Sequence, residues 1–226
     1  MDTVSGAQAA GPRAAAAVLL FATLAATCDA GAAAAAGGDA AAPRPAAARE
    51  FARRLAAAGR AEVSLTRRFE DPLAGGEVVM HGRLALEPPD RARIEFDETG
   101  ERVTLRGDGG EWLQPQLEQM LRFGANGAMG ALRWWTLFGG ATGPGVTERR
   151  AGPREWVITM PSSGVAGDSA RVELDAAGLP RRIVIVEEAG TPVTYTLEGW
   201  RFTKPRGRAA FVLAAPEGYE TFELGK

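Results

Sequence analysis

The stretch EVVMHGRLALEPPDRARIEF, residues 77–96, contains the pattern that decides the fold. Apolar residues recur at alternate positions along its first half, with Gly82 between them, and again along its second half. A period of two predicts β-strands with one apolar and one polar face. The proline pair Pro88-Pro89 predicts the turn between them. The stretch is therefore expected to form a hairpin whose apolar face carries Val78, Met80, Leu84, Leu86, Ala92, Ile94 and Phe96.

The same period continues on both sides of this hairpin. Gly, Pro and Asp stand at nearly every junction, at the spacing that antiparallel hairpins require. Strands with one apolar face must enclose a common interior, which two packed sheets or one curved, barrel-like sheet would provide. The further strands are expected at 61–69, 102–106, 111–114, 155–160, 169–175, 181–187, 192–200 and 210–214.

Two segments have the pattern of helices. Residues 46–60 place Phe51, Leu55 and Ala58 on one stripe and arginines on the other, which predicts an amphipathic N-terminal helix. Residues 127–138 have almost no polar face and lie between two glycine-rich stretches. This second segment is expected to act as a lid or plug against the sheet, or else to be an ordinary core helix. Its apolar residues include Met129, Leu132, Trp134, Trp135 and Phe138.

The first 45 residues differ in composition from the rest. The uncharged run 14–26 is too short for a membrane span, which needs about 20 residues, but it suits a secretory signal. We expect a signal peptide over residues 1–30, a flexible Ala/Gly-rich tether over 31–45 and one domain over 46–226. The chain would then be exported to the periplasm. Cys28 is either a lipidation site that anchors the chain or an incidental cysteine removed with the signal.

Composition excludes several function classes. The 26 basic and 28 acidic residues give a net charge of −2, which argues against a nucleic-acid partner. One cysteine and one histidine, His81, leave no basis for a metal centre or a catalytic triad. The acids Asp168, Asp175, Glu187 and Glu188 lie near strand ends, where solvated acids are usual. We therefore expect no enzyme, no cofactor and no metal.

Four arginine pairs punctuate the chain, and either of two roles fits them. They could be ordinary solvated faces of the fold, or they could contact anionic lipid headgroups. The pairs are Arg53-Arg54, Arg67-Arg68, Arg149-Arg150 and Arg181-Arg182.

The order of several short motifs resembles the periplasmic outer-membrane lipoprotein carriers, the LolA family. The 82–96 hairpin is followed by an aspartate–glycine turn, a tryptophan strand and a proline–glutamine run over residues 108–119. Residues 174–180, 200–202 and 211–218 resemble the final hairpins and closing segment of these carriers. The likeness covers roughly residues 46 to 224. It implies a mainly β fold: a strongly curved antiparallel sheet, or incomplete β-barrel, with an N-terminal helix and a helical lid.

The resemblance also implies a function. The chain would bind the acyl chains of lipoproteins, or other lipids, and carry them across the periplasm towards the outer membrane. Its partners would be an inner-membrane release complex and an outer-membrane acceptor, and it would act as a monomer. The carriers have a release arginine where this chain has Pro88, so Arg91 or Arg93 is the candidate substitute. The alternative is a membrane-anchored acceptor of LolB type, acylated at Cys28. Residues 132–135 resemble the tryptophan helix of that acceptor.

Under this interpretation the inward faces of the strands line a hydrophobic cavity, and the apolar segment covers it. Burying a methylene contributes about 0.8 kcal/mol, so an acyl chain of about 16 carbons gains on the order of 10 kcal/mol. The predicted cavity residues are Val63, Leu65, Val78, Met80, Leu84, Leu86, Ile94, Phe96, Trp112, Trp156 and Ile158. The predicted lid residues are Met129, Leu132, Trp134, Trp135 and Phe138.

Overall fold

The computed structural model describes residues 46–71, 75–124, 134–135, 137–138, 145–160, 168–186 and 191–224, and it does not describe the side chains of 46–50. The predicted signal peptide, tether and Cys28 lie outside these residues and stay predictions. None of the described helices is long and apolar enough to cross a membrane.

One helix, α1 (Ala46–Ala58), precedes a run of strands. Gly59, with φ of 86°, ends α1 and donates its N–H to the Leu55 carbonyl at 2.7 Å. The strands are β1 (Arg60–Glu70), β2 (Glu77–Glu87), β3 (Arg91–Phe96), β4 (Arg102–Arg106), β5 (Gly109–Gln114), β6 (Gln119–Gly124), β7 (Thr147–Gly152), β8 (Glu155–Met160), β9 (Asp168–Leu174), β10 (Pro180–Val186), β11 (Val193–Thr203) and β12 (Glu220–Leu224).

The strands form a single sheet with the order β12-β6-β5-β4-β3-β2-β1-β11-β10-β9-β8-β7. All neighbours are antiparallel except β12, which pairs parallel to β6. The two edge strands, β12 and β7, lie at opposite ends of this order, so the sheet is not closed into a barrel. This topology confirms the predicted mainly β, incomplete antiparallel sheet.

The inner face of the sheet surrounds one core. Buried residues from β1–β4, β6 and β8–β11 belong to a single apolar cluster, together with Phe51 and Leu55 of α1. A flat sheet of this size would be about 53 Å wide at ~4.8 Å per strand. One 13-residue helix could not cover it. The sheet therefore curls so that its own strands enclose the inner face.

The outer face of β2–β6 is covered by the C-terminal strap, residues 205–215. Leu213 packs with Leu113 and Met120 in a second, small apolar cluster. Phe211 is fully buried, and its carbonyl accepts a 2.5 Å hydrogen bond from Arg106 Nη1. The part of this half that carries Glu87, Thr104 and Glu111 is thus buried on both sides, whereas His81 and Arg102 on the same outer face are exposed.

The strap corrects one sequence expectation. The pattern predicts a strand at 210–214, but residues Arg208–Phe211 form a 3₁₀ helix and the last strand is β12. Strands β6 and β7 are absent from the sequence prediction. In β6, Met120 and Leu121 are adjacent and face opposite sides, which interrupts the alternation of apolar and polar residues. β7 (TERRAG) has no large apolar residue, so it has no such alternation.

Gly82 is required by a close approach of two strands. It lies opposite Leu65 on β1 and Phe96 on β3, and a Cβ at this position would lie 2.0 Å from the Glu95 carbonyl oxygen. We expect Gly82→Ala to lower the free energy of unfolding by about 1–3 kcal/mol, because the backbone of β3 must move. Chemical denaturation measures this loss.

Gly152→Ala is the matched control for this substitution. The nearest atoms to its added Cβ belong to the Glu155 side chain, at 3.3–3.4 Å, and they can move. We expect a change within about 0.5 kcal/mol for this variant. Equal losses for the two substitutions would contradict the backbone explanation.

Candidate functional site

The predicted cavity residues all lie on the inner face and in one cluster. Eight of them are buried: Val63, Leu65, Met80, Leu84, Leu86, Ile94, Phe96 and Ile158. The other three, Val78, Trp112 and Trp156, are half-buried and pack against the same cluster. The structure therefore brings together the residues that the period of two placed on a common face.

The interior of the sheet is occupied by the plug, which we define as Trp134, Trp135, Leu137 and Phe138. These residues are helical, and their exposed fractions are 0%, 1%, 7% and 2%. Trp135 packs edge-on against Tyr195 of β11 with ring centroids 5.0 Å apart. The plug is thus inserted among the wall residues. Two of the predicted lid residues, Met129 and Leu132, lie outside the described residues.

The plug contains two buried polar groups without partners. Within the described part of the chain, neither Trp134 Nε1 nor Trp135 Nε1 has a hydrogen-bond partner. An unsatisfied buried donor costs about 1–3 kcal/mol. The plug therefore fills the interior, but its unpaired indole N–H groups make its burial there less favourable.

Helix α1 covers one end of the interior. Phe51 is fully buried and contacts Trp200 and Phe202 near the end of β11, with ring centroids 4.7 and 6.3 Å apart. Leu55 is 1% exposed and belongs to the same core. This end is closed by apolar side chains.

The opposite end, which we call the mouth, is more polar among the described residues. Its rim has half-buried apolar residues at the end of β1 and the starts of β2 and β11, namely Phe69, Val78 and Val193. Two charged residues, Arg67 and Glu101, lie on the same inner face. They are half-buried among these side chains.

The carboxylate of Glu101 is hydrogen-bonded at the mouth. It accepts a 3.2 Å hydrogen bond from Trp112 Nε1. Burial raises the pKa of Glu101 above its usual value, although the Trp112 bond and the charge of Arg67 act in the opposite direction. Ionisation of this acid is therefore less favourable than in water.

Sequence reasoning missed Arg67 and Glu101 as interior residues. It assigned Arg67 to a surface pair with Arg68, but Arg67 has the same parity along β1 as Val63 and Leu65. Its cross-strand partners, Met80 and Tyr195, are both core residues. The alternation that identified the wall would therefore have identified Arg67 as well.

The charged groups on the outer face hold the C-terminal strap. Arg93 Nη1 donates to the Ala210 carbonyl at 2.8 Å, and Arg91 Nη2 lies 3.1 Å from Glu87 Oε1. Both arginines point away from the plug, in register with other outer-face residues. The candidate substitutes for a release arginine thus hold the strap, and Pro88 directly follows the carboxylate that pairs with Arg91.

Glu111 has a similar structural role on the outer face. Burial acts to raise its pKa, but hydrogen bonds from Arg106 and Thr104, at 2.5 and 2.6 Å, outweigh it and keep the pKa below the usual value. The bound carboxylate therefore stabilises the fold above the ordinary glutamate pKa, and this stability is lost as pH falls through the lowered value. Glu111 thereby connects β4, β5 and the strap.

Two further titratable residues named in the sequence analysis, His81 and Asp168, have different environments. His81 is exposed, and its Nδ1 lies 2.6 Å from Glu98 Oε1. Asp168 was expected to be solvated, but it is 7% exposed because it has the inward parity of Ala170 and Val172 on β9. In the described ranges, no group of three or more His, Cys, Asp or Glu residues could hold a metal ion.

A groove of about 500 Å³ lies elsewhere, on the outer face of β7–β10. Its walls carry Arg149, Arg171 and Arg182, and Arg171 pairs with Glu155 at 3.1 Å. Ion pairs and free water would surround a hydrocarbon chain placed there. The apolar interior is therefore the better candidate for an acyl ligand.

No protein-family model and no curated protein matches the sequence. Among solved structures, the chain is similar to an uncharacterized conserved protein from Thermus thermophilus, with 15% identity over 78% of this chain and 99% of that chain, and a TM-score of 0.46. It is also similar to a LolA superfamily protein from Nitrosomonas europaea, with 9% identity over 74% and 96% of the two chains and a TM-score of 0.45.

A third similar structure is a putative outer membrane lipoprotein-sorting protein domain from Vibrio parahaemolyticus. The identity is 12% over 73% of this chain and 95% of that chain, with a TM-score of 0.43.

Proposed function

We propose that this protein binds the acyl chains of lipoproteins, or of other lipids, inside the curved sheet and carries them across the periplasm towards the outer membrane. An acyl chain takes the place of the plug between the walls and enters through the mouth. The wall residues named above form the binding surface, and the plug is the lid.

One observation carries this proposal. The centre of the interior is filled by a segment that belongs to no strand and that leaves two indole N–H groups without partners among the described residues. A permanent core would be expected to satisfy such groups, since most buried polar groups in proteins have a partner. A segment that must leave the interior on ligand binding needs no such optimisation.

The energies of exchange are balanced. Four buried plug side chains contribute about 6–12 kcal/mol at 1.5–3 kcal/mol each. An acyl chain of about 16 carbons contributes on the order of 10 kcal/mol in the same place. Exchange of the plug for an acyl chain taken from water is therefore close to neutral and needs no nucleotide or other fuel at this protein.

The finer parts of the proposal concern location and partners. We propose export by the N-terminal signal, a non-enzymatic role, and loading and unloading at membrane-bound partners. Mass spectrometry of the mature N-terminus separates the carrier from the anchored alternative. A diacylglyceryl group on Cys28 would identify an acceptor, whereas an unmodified N-terminus beyond residue 28 would identify a soluble carrier.

The direct test is capture of an acylated lipoprotein by the purified full chain. We expect a one-to-one complex with the acylated form and none with the same lipoprotein lacking its acyl chains. Size-exclusion chromatography with mass measurement resolves the two cases. Failure to capture either the acylated lipoprotein or a fluorescent fatty-acid probe would contradict the proposal.

Val78→Asp is expected to weaken binding of the fluorescent probe at least tenfold. Val78 lies on the inner face at the mouth, and an acyl chain that enters there would have to desolvate the new carboxylate. Val79→Asp is the matched control, because Val79 is equally half-buried but faces the outer side opposite Arg68. A loss of binding in both variants, or in neither, argues against entry at the mouth.

A further inference from the structure

Arg67 is a cation placed on the wall of the interior. Its strand partners are Met80 on β2 and Tyr195 on β11, and directly paired residues in a sheet point to the same face. Tyr195 in turn contacts Trp135 of the plug. The side chain of Arg67 is therefore one residue away from the space that the plug fills.

The guanidinium of Arg67 is held by aromatic rings. Its Cζ lies 4.4 Å from the centroid of the Phe69 ring and 5.8 Å from that of Phe96. Its Nε is buried and has no hydrogen-bond partner within the described part of the chain. Among the described residues, no carboxylate lies within 4.0 Å of it, whereas Arg68, next in sequence, pairs with Glu77 at 3.2 Å.

Glu101 lies on the same inner face, and the charge of Arg67 acts to lower its pKa, but burial outweighs this effect and raises it. Glu101 Oε2 accepts a hydrogen bond from Trp112 Nε1 rather than from Arg67. Arg67 is therefore held between aromatic rings without a close counter-ion among the described residues, and its buried Nε has no partner there. A ligand with an anionic oxygen group at its head supplies what this arginine lacks.

We propose that Arg67 binds the anionic head, a carboxylate or a phosphate, of an amphiphile whose hydrocarbon tail replaces the plug. This inference rests on the proposed function and concerns its second class of ligand, the other lipids, among which it favours those with an acidic head. The acyl anchor of a lipoprotein has no anionic head and would bind through its hydrocarbon chains alone. The tail provides most of the affinity, and Arg67 provides the selection between acidic and neutral heads.

The test compares three ligands that share one tail: hexadecanoic acid, hexadecyl phosphate and hexadecanol. Each competes with a neutral fluorescent alcohol probe for the full chain, below its micellar concentration. We expect both acidic ligands to bind about tenfold or more tightly than the alcohol. Arg67→Gln should remove this preference and leave the affinity for hexadecanol within about twofold.

Arg68→Gln is the matched control and should keep the full preference, because Arg68 lies on the outer face. Arg67→Lys keeps the charge without the planar group, so it should retain part of the preference and serves if the glutamine variant does not fold. Sodium phosphate and sodium acetate, which lack a tail, should not displace hexadecyl phosphate at millimolar concentration.

The outcomes separate this inference from the proposed function. If hexadecanol binds but the acids bind no better, or if Arg67→Gln weakens all three ligands equally, the headgroup site is wrong and the acyl site remains. Displacement by free phosphate would also overturn it, since the anion would then bind without a tail. If none of the three ligands binds, the proposed function itself fails.

Discussion

Glu87→Ala is expected to lower the free energy of unfolding by about 3–5 kcal/mol. Glu87 is 1% exposed, and its carboxylate accepts the backbone N–H groups of Arg206 and Gly207 at 2.9 and 3.1 Å. It also lies 3.1 Å from Arg91 Nη2 and 3.5 Å from Arg60 Nη1. Removing it leaves Arg91 without its buried counter-charge and two strap amides without an acceptor, although Arg60 keeps its ion pair with Glu62 at 2.9 Å.

The loss should extend to the whole strap, because Phe211 lies between the same two arginines. Its ring centroid is 5.5 Å from Arg60 Cζ and 5.7 Å from Arg91 Cζ. Chemical denaturation followed by tryptophan fluorescence measures the stability. Limited proteolysis around residue 206 should show that the strap opens before the rest of the sheet unfolds.

Glu98→Ala provides the control for this prediction. Glu98 also accepts hydrogen bonds, from the backbone N–H and the ring of His81, but both side chains are exposed. Its removal should cost less than about 1 kcal/mol. If Glu87→Ala cost no more than Glu98→Ala, the cluster would not anchor the strap.

The Glu87 cluster also explains why this chain departs from the carrier pattern at Pro88. The end of the β2–β3 hairpin is occupied by the strap anchor, and its arginines are already engaged. We therefore expect ligand binding to be controlled from the inner face, where Arg67 lies, rather than from the end of the β2–β3 hairpin.

Most of the sheet could be predicted because half-buried strands show their burial in the sequence. The predicted strands at 91–96 and 155–160 have the bounds that the structure has, and both alternate between the core and the other face. The prediction was wrong at 210–214, where the alternation of Phe211 and Leu213 arises from a strap that is buried on one side. The prediction also missed β12, where only Phe222 and Leu224 alternate with polar residues and every residue is exposed.

The site was predictable only in its apolar part. Apolar wall positions follow from parity along each strand, but a charged residue at the same parity is ordinarily assigned to solvent. Arg67 and Asp168 both break the pattern in this way. Their parity along the strand is visible in the sequence, but the residues that surround them come from strands distant in sequence, such as β11 for Arg67.

Trp135→Ala is expected to have opposite effects on stability and on ligand affinity. Trp135 is 1% exposed and contacts Phe138 and Tyr195, so its truncation should lower the free energy of unfolding of the ligand-free protein by about 3–5 kcal/mol. In the proposed mechanism, however, an acyl ligand binds only when the plug has left. Weakening the plug enlarges the population of the open state, and the apparent affinity rises with that population.

We expect the affinity of Trp135→Ala for the fluorescent acyl probe to increase between ten- and a hundredfold, because about 1.4–2.8 kcal/mol of the lost plug energy no longer opposes binding. Phe51→Ala is the control: Phe51 is a fully buried aromatic residue of similar energetic weight, but it lies in α1 at the closed end. It should destabilise the fold to a similar extent without raising the affinity. A weaker affinity for Trp135→Ala would mean that Trp135 is part of the binding wall, and the plug would then not compete with the ligand for the interior.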